Sequence, residues 1–292
     1  MNDLVRALRQ NRLGVAGLLL VATIFLVALS APLIAPGDPF RMDWTPFLPP
    51  GSDHLLGTDN IGRDVYALMV HGTKVSLLFA FGAAGVSLLM GMLLGGIAGY
   101  YGGLIDDLIS RLSDAFLIIP RLFLIIVIVA LFGSQLWMVV LVIGVTLWPA
   151  NARIMRAQVM SLRERGFVQA ARVAGGSDAA IIFGQITPNS LGPVLANSVL
   201  QMAYAVLTEA SLAFLGLGDP NVPSWGQILY SGQNYLSSAP WLMIFPGLAL
   251  AVLLLSLHLV GTALVESLNP KLRPVRRVPL SARAGAAPRM EV

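Results

Sequence analysis

Six runs of mainly apolar residues, near 13–35, 75–101, 114–133, 136–158, 190–216 and 241–266, constrain this chain more than any other feature. About 20 such residues in an α-helix cover roughly 30 Å, the thickness of bilayer hydrocarbon, and a helix satisfies its own backbone N–H and C=O groups where water is missing. Charged residues are 12% of the 292, against about 25% in soluble domains, so most of the surface is built to face something other than water. The expected fold is all-α and integral to the membrane, with six transmembrane helices and no separate soluble domain. Cysteine is absent, which excludes disulfides, thiolate metal sites and cysteine nucleophiles.

The first run follows Arg6, Arg9 and Arg12, and Ala28-Leu29-Ser30 resembles a small-residue cleavage site. About 20 apolar residues is long for a signal core, so an uncleaved anchor is expected. Positive loops stay cytoplasmic. With the N-terminus inside, fifteen of the 19 Lys and Arg are cytoplasmic, while Arg41, Arg63 and Lys74 lie outside. Arg121 sits inside the third span near its cytoplasmic end, where its guanidinium can snorkel toward headgroups. Both termini are then cytoplasmic, and the net charge of +4 belongs to loops, which speaks for topology and lipid and not for nucleic acid.

The chain divides into an N-terminal span with an extracytoplasmic segment (1–74), a five-helix core (75–268) with a cytoplasmic loop at 163–188, and a basic tail (269–292). The tail has no periodicity and is expected to be disordered, with basic residues able to touch anionic lipid. The outer segment 36–74 is rich in Pro, Gly and Asp and should be ordered but irregular. Thr58 or Asp59 is expected to cap a short helix through Ala67, setting Val65, Leu68 and Met69 against the membrane or neighbouring spans.

Gly91, Gly95 and Gly99 recur every four residues, so they share one helix face and let another helix approach closely. Pro120, Pro149, Pro193 and Pro246 mark bends. Ionisable groups within the spans are few. Glu209 lies deep in the fifth span, so its carboxyl must face either the bundle interior or a water-filled translocation path. His258 is read as a packed side chain of the last span.

Several chemistries are excluded. No chain of Asp, Glu and His crosses the bilayer as a proton-coupled carrier needs. No Gly-rich phosphate loop ending in Gly-Lys-Ser/Thr occurs, so the chain does not hydrolyse ATP itself, and no metal-binding His-Glu-x-x-His or Gly-x-Ser-x-Gly elbow is present. No enzyme activity and no bound metal or cofactor is expected of this chain.

Between the fourth and fifth spans, residues 163–188 read as two short helices. One ends at Gly175-Gly176; Ser177 or Asp178 caps the next, which Pro188 closes. Phe167, Val168, Val173, Ile181, Ile182 and Phe183 exceed what so short a loop would bury alone, and the small Ala170, Ala171 and Gly175 permit close approach. Such a knob either docks a protein or rests on lipid headgroups.

Ala170-Ala171, three residues, Gly175, then twelve residues to Pro188 resembles the ATPase-docking loop of binding-protein-dependent ABC importer permeases. Gln169 and Thr187 depart from it, standing where that family usually has Glu and Leu; Gln169 keeps helix propensity but loses the charge. The resemblance extends along the chain to the dipeptide and oligopeptide branch, through His54 to Asp64, Ser161 to Arg165, Glu209 to Gly218, Pro223-Ser224-Trp225-Gly226, Ser238 to Trp241 and Phe245-Pro246-Gly247. It is similar to that branch's second permease subunit. The resemblance implies a type I ABC importer permease fold in the bacterial inner membrane. It also implies a second homologous permease, two cytoplasmic ATPases that use ATP and Mg, and an extracytoplasmic substrate-binding protein. Docking would fall to Arg165, Phe167, Gln169, Ala170, Ala171, Gly175, Gly176, Ser177, Asp178, Phe183 and Pro188. Peptides are the expected cargo, with glutathione and nickel as alternatives within the branch.

Overall fold

The computed structural model describes residues 11–268, so Arg6, Arg9 and the tail from 269 lie outside the described residues. The first helix, α1 (Arg12–Ile34), is capped by the Asn11 side chain, which accepts hydrogen bonds from the backbone N–H groups of Leu13 and Gly14. Its Leu18, Leu19, Phe25, Leu26, Leu29 and Leu33 remain exposed, an inside-out distribution that suits lipid. The small residues Gly14 and Gly17 instead meet the last helix, α9 (Trp241–Leu268).

Helix α2 (Val65–Tyr101) runs 37 residues, about 55 Å and well beyond one hydrocarbon thickness. The short helix expected before the second span is the start of this helix. Its N-cap is Asp64, not Thr58 or Asp59, because those two are committed to the turn ahead of it. Thr58 Oγ1 donates to the Thr45 carbonyl and accepts from Leu48 N, while Asp59 accepts from the N–H groups of Ile61 and Arg63 and from the Arg63 guanidinium. Val65 and Leu68 are buried and Met69 packs against the same cluster, shared with α9 and the helix α8 (Trp225–Gly232). Trp225 donates to the Met69 carbonyl and Trp241 to that of Thr58, so two indoles tie the outer segment to the core.

The third span is broken. Helix α3 (Gly103–Ile118) and helix α4 (Arg121–Phe132) meet at 87° across Ile119-Pro120, because proline lacks the N–H that would continue the helix and disfavours helical conformation in the residue before it. Arg121 opens α4 and stacks over the Tyr204 ring at 5.7 Å. That contact packs the guanidinium against another helix.

Helix α5 (Leu136–Arg163) and the 40-residue α7 (Asp178–Leu217) complete the centre, with α2 packed against both and α9 against α1 and α7. Counting the bent pair as one, the described residues hold six candidate spans. The Gly91, Gly95 and Gly99 face lies on α5, where a Cβ would overlap Asn151, the Ala152 backbone and the Arg156 carbonyl. Beside it a buried polar node joins three helices. Asn151 Nδ2 lies 3.0–3.1 Å from Ser87 Oγ, Ser198 Oγ and Gln201 Oε1, and Asn151 Oδ1 accepts from Asn197 at 2.8 Å. Ser87 donates to Gln201 Oε1 at 2.7 Å, and Gln201 Nε2 donates to the Leu147 carbonyl.

Candidate functional site

The loop at 163–188 begins where α5 ends. Helix α6 (Gly166–Val173) is one short amphipathic segment, and its C-terminus is a Schellman turn. Gly176 N donates to the Ala171 carbonyl and Gly175 N to that of Arg172, with Gly175 at φ +81°, a conformation that favours glycine. A Cβ at Gly175 has open space around it. Its constraint on substitution is therefore backbone conformation and not a crowded surface.

Ser177 caps the following helix by accepting from Ala180 N, as expected. Pro188 does not close that helix. Residues Ile182–Ile186 form a π-helical stretch in which the Thr187 N–H reaches the Ile182 carbonyl, and the helix continues through Pro188 into the fifth span. A proline in the first turn of an α-helical stretch lacks only an N–H that the changed register leaves without an intrahelical partner. The second loop helix and the fifth span thus run on through Pro188 as α7, which kinks only near its far end at Gly216, φ +83°.

The apolar residues of the loop separate into two sets. Val168, Ile181 and Ile182 are buried, packed with Tyr100, Met155, Val159 and Ile186 on the ends of the spans. Phe167, Val173 and Phe183 are 41%, 90% and 57% exposed. Arg165, Gln169, Ala170, Gly175, Gly176, Ser177, Asp178 and Pro188 are exposed as well, and Ala171 is half-buried. Gln169 Nε2 donates back to the Glu164 carbonyl at 3.3 Å. The loop is held rigidly on one side and presents an unpartnered apolar and small-residue surface on the other.

Polar contacts fasten this end of the bundle. Arg156 of α5 forks onto the Asp106 carboxylate of α3, and Arg163 donates to the Gly99 carbonyl at 3.1 Å. The Tyr100 hydroxyl donates to Asp178 Oδ1 at 2.6 Å. None of these, nor the Asn151 node, was singled out from the sequence. The node had a legible signal, since Asn197 and Gln201 are four apart on one face of a span and Asn151 follows Pro149. Amides carry no charge, so they stand out less in an apolar span than Glu209 does.

At the opposite end, Glu209 is 5% exposed and its Oε2 has no hydrogen-bond partner among the described residues. Ser224, Asp219, Leu217, Leu136 and Phe79 line a cavity there of about 10 Å³, room for about one water and not for a peptide.

Broken and overlong spans around a small-residue core, with a rigid helical knob at one end, define a membrane permease of the type I ABC importer fold. The solved inward-facing MetNI methionine ABC transporter is similar, with a TM-score of 0.56 at 20% identity over 69% of this chain and 96% of that one. The family model for the binding-protein-dependent transport system inner membrane component matches residues 91–274, and that for the N-terminal TM domain of oligopeptide transport permease C matches residues 1–50. The chain belongs to this family of bacterial inner-membrane transport permeases.

Among its relatives is the dipeptide transport system permease protein DppC of Alkalihalophilus pseudofirmus, 37% identical over 92% of this chain and 89% of that protein. DppC of Haemophilus influenzae is 36% identical over 91% and 92%. The oligopeptide transport system permease protein OppC of Bacillus subtilis is 32% identical over 93% and 90%.

Proposed function

We propose that this chain forms half of the translocation pathway of an ATP-driven importer and that its cargo is a di- or oligopeptide delivered by an extracytoplasmic binding protein. The observation that carries the reading is the α6 knob: apolar side chains held outward on a rigid base, in a chain that has no nucleotide-binding motif of its own. In this reading the loop end faces the cytoplasm and both termini lie there. Two ATPase subunits, using ATP and Mg, receive α6; a second, homologous permease completes the pore.

Nucleotide-driven closure of the ATPases then moves α6, and a packed helix passes displacement on without compressing. Arg165, Phe167, Gln169, Ala170 and Phe183 form the docking surface, Ala171 lends it close approach, and Gly175, Gly176 and Ser177 shape its turn. Asp178 and Pro188 belong to the root of α7. Glu209 is assigned to the bundle interior, on the small size of its cavity. The peptide assignment draws on the named substrates of the relatives.

Purification in mild detergent from cells that express the whole transporter tests the assembly. Recovery of ATPase subunits and a sister permease with this chain is expected; recovery of the chain alone would sink the importer reading. Ligand measurement on the cognate binding protein decides the cargo, and tight glutathione or nickel binding without peptide binding would replace peptides.

A further inference from the structure

We propose that Tyr100 is a positioning residue that latches the turn between α6 and α7 to the end of α2, so that movement of α6 reaches α2 directly and is not lost in the Gly175-Gly176 turn. The proposal rests on the reading of 163–188 as the ATPase-docking loop. A turn of two glycines, one at φ +81°, is where a push on α6 would dissipate as hinge motion. One phenol spans it. The Tyr100 hydroxyl donates to Asp178 Oδ1 at 2.6 Å, at the first position of α7, while its ring carries the Arg172 guanidinium at 5.1 Å, in the last turn of α6.

Both partners are on the exposed loop, whereas Tyr100 is 6% exposed and packed with Met155, Val159, Val168 and Ile181. The loop therefore grips a fixed anchor. Asp178 is free for this bond because Ser177 supplies the cap, and a carboxylate at a helix N-terminus is favoured by the helix dipole. One residue earlier, the Gly99 carbonyl accepts from Arg163 at the end of α5. The last turn of α2 is thus held by the residues that precede α6 and by those that follow it. Since the glycine face of α2 lies directly on α5, a pull on Tyr100 moves two spans together.

The test uses the assembled transporter in proteoliposomes and reads ATP hydrolysed per substrate imported. A hydrogen bond to a charged group biases the latched arrangement by roughly tenfold or more. Tyr100→Phe, which removes one oxygen and keeps the ring, is expected to retain the ATPase subunits and to raise ATP consumed per substrate several-fold. The same substitution made in an Asp178→Ala background should add nothing, because the bond is already gone. This chain has no cysteine, so, with partner subunits made cysteine-free, cysteines placed at the exposed Leu104 and Ala174 can carry spin labels. Their distance distribution should broaden in Tyr100→Phe.

An unchanged ratio with an unchanged distance distribution overturns the latch. Failure of the Tyr100→Phe transporter to assemble also overturns it, since a latch acts after assembly. If instead the docking reading itself is wrong, ATPase subunits will stay bound at full affinity when Phe167 is truncated, a readout independent of the ratio.

Discussion

Truncating Phe167 separates the outward-facing side of the knob from its base. The side chain is 41% exposed, and an aromatic side chain offers about 150–250 Å² when fully buried, so docking can cover roughly 80 Å² more of it. At about 25 cal/mol per Å² that is about 2 kcal/mol, or a weakening of ATPase affinity by roughly 30-fold in Phe167→Ala. The neighbouring Val168 is fully buried against the chain's own spans. Val168→Ala should therefore cost about 1–3 kcal/mol of permease stability, with a smaller and indirect effect on docking. The assay is titration of purified ATPase subunit onto detergent-solubilised permease, paired with thermal unfolding of each variant. Equal affinity for Phe167→Ala and wild type would refute the outward docking surface, and a larger affinity loss for Val168→Ala would mean that the faces are assigned the wrong way round.

Further outcomes follow from the interior. Asn151→Ala removes at most three hydrogen bonds, because its amide carries two protons and its Oδ1 accepts one bond from Asn197. At about 0.6 kcal/mol each in a membrane bundle the loss is about 2 kcal/mol before any cavity term. A double-mutant cycle with Gln201→Ala should return a coupling of about 0.6 to 1.7 kcal/mol, and zero coupling would deny the bond between them. Gly95→Ala should destabilise by about 1–3 kcal/mol because its Cβ overlaps the Ala152 backbone. Gly96→Ala, whose Cβ would sit 3.7 Å from Met155, should be neutral or mildly stabilising, and equal thermal shifts for the two would contradict the close α2–α5 contact. Glu209→Gln is expected to leave substrate uptake unchanged; a large loss at normal expression would return Glu209 to the translocation path.

The spans were legible because hydrocarbon imposes length and apolarity on every crossing segment, whatever the neighbours do. The spacing of Gly91, Gly95 and Gly99 told which face of α2 is approached closely, since four-residue spacing returns to one side of any helix. Ser177 and Gly175 announced a cap and a left-handed turn through local chemistry alone. Other features depended on distant partners. Whether Asp59 capped a helix or held Arg63 was settled by competition for its carboxylate, and the contact of Arg121 with Tyr204 of α7 joins residues 83 apart in the chain, across the bend at Pro120. Pro188 looked like a terminus, yet a π-helical register change let the helix pass through it.

The sequence by itself therefore determined the solvent, the candidate spans and the position of the loop, which are properties of composition, periodicity and local capping. Tertiary structure decided which loop residues face outward, because Val168 and Phe167 are equally apolar neighbours and only packing against Tyr100, Met155 and Val159 distinguishes them. It also brought Tyr100, 78 residues away in the chain, to Asp178. A hydrogen bond across that separation leaves no local trace in either segment.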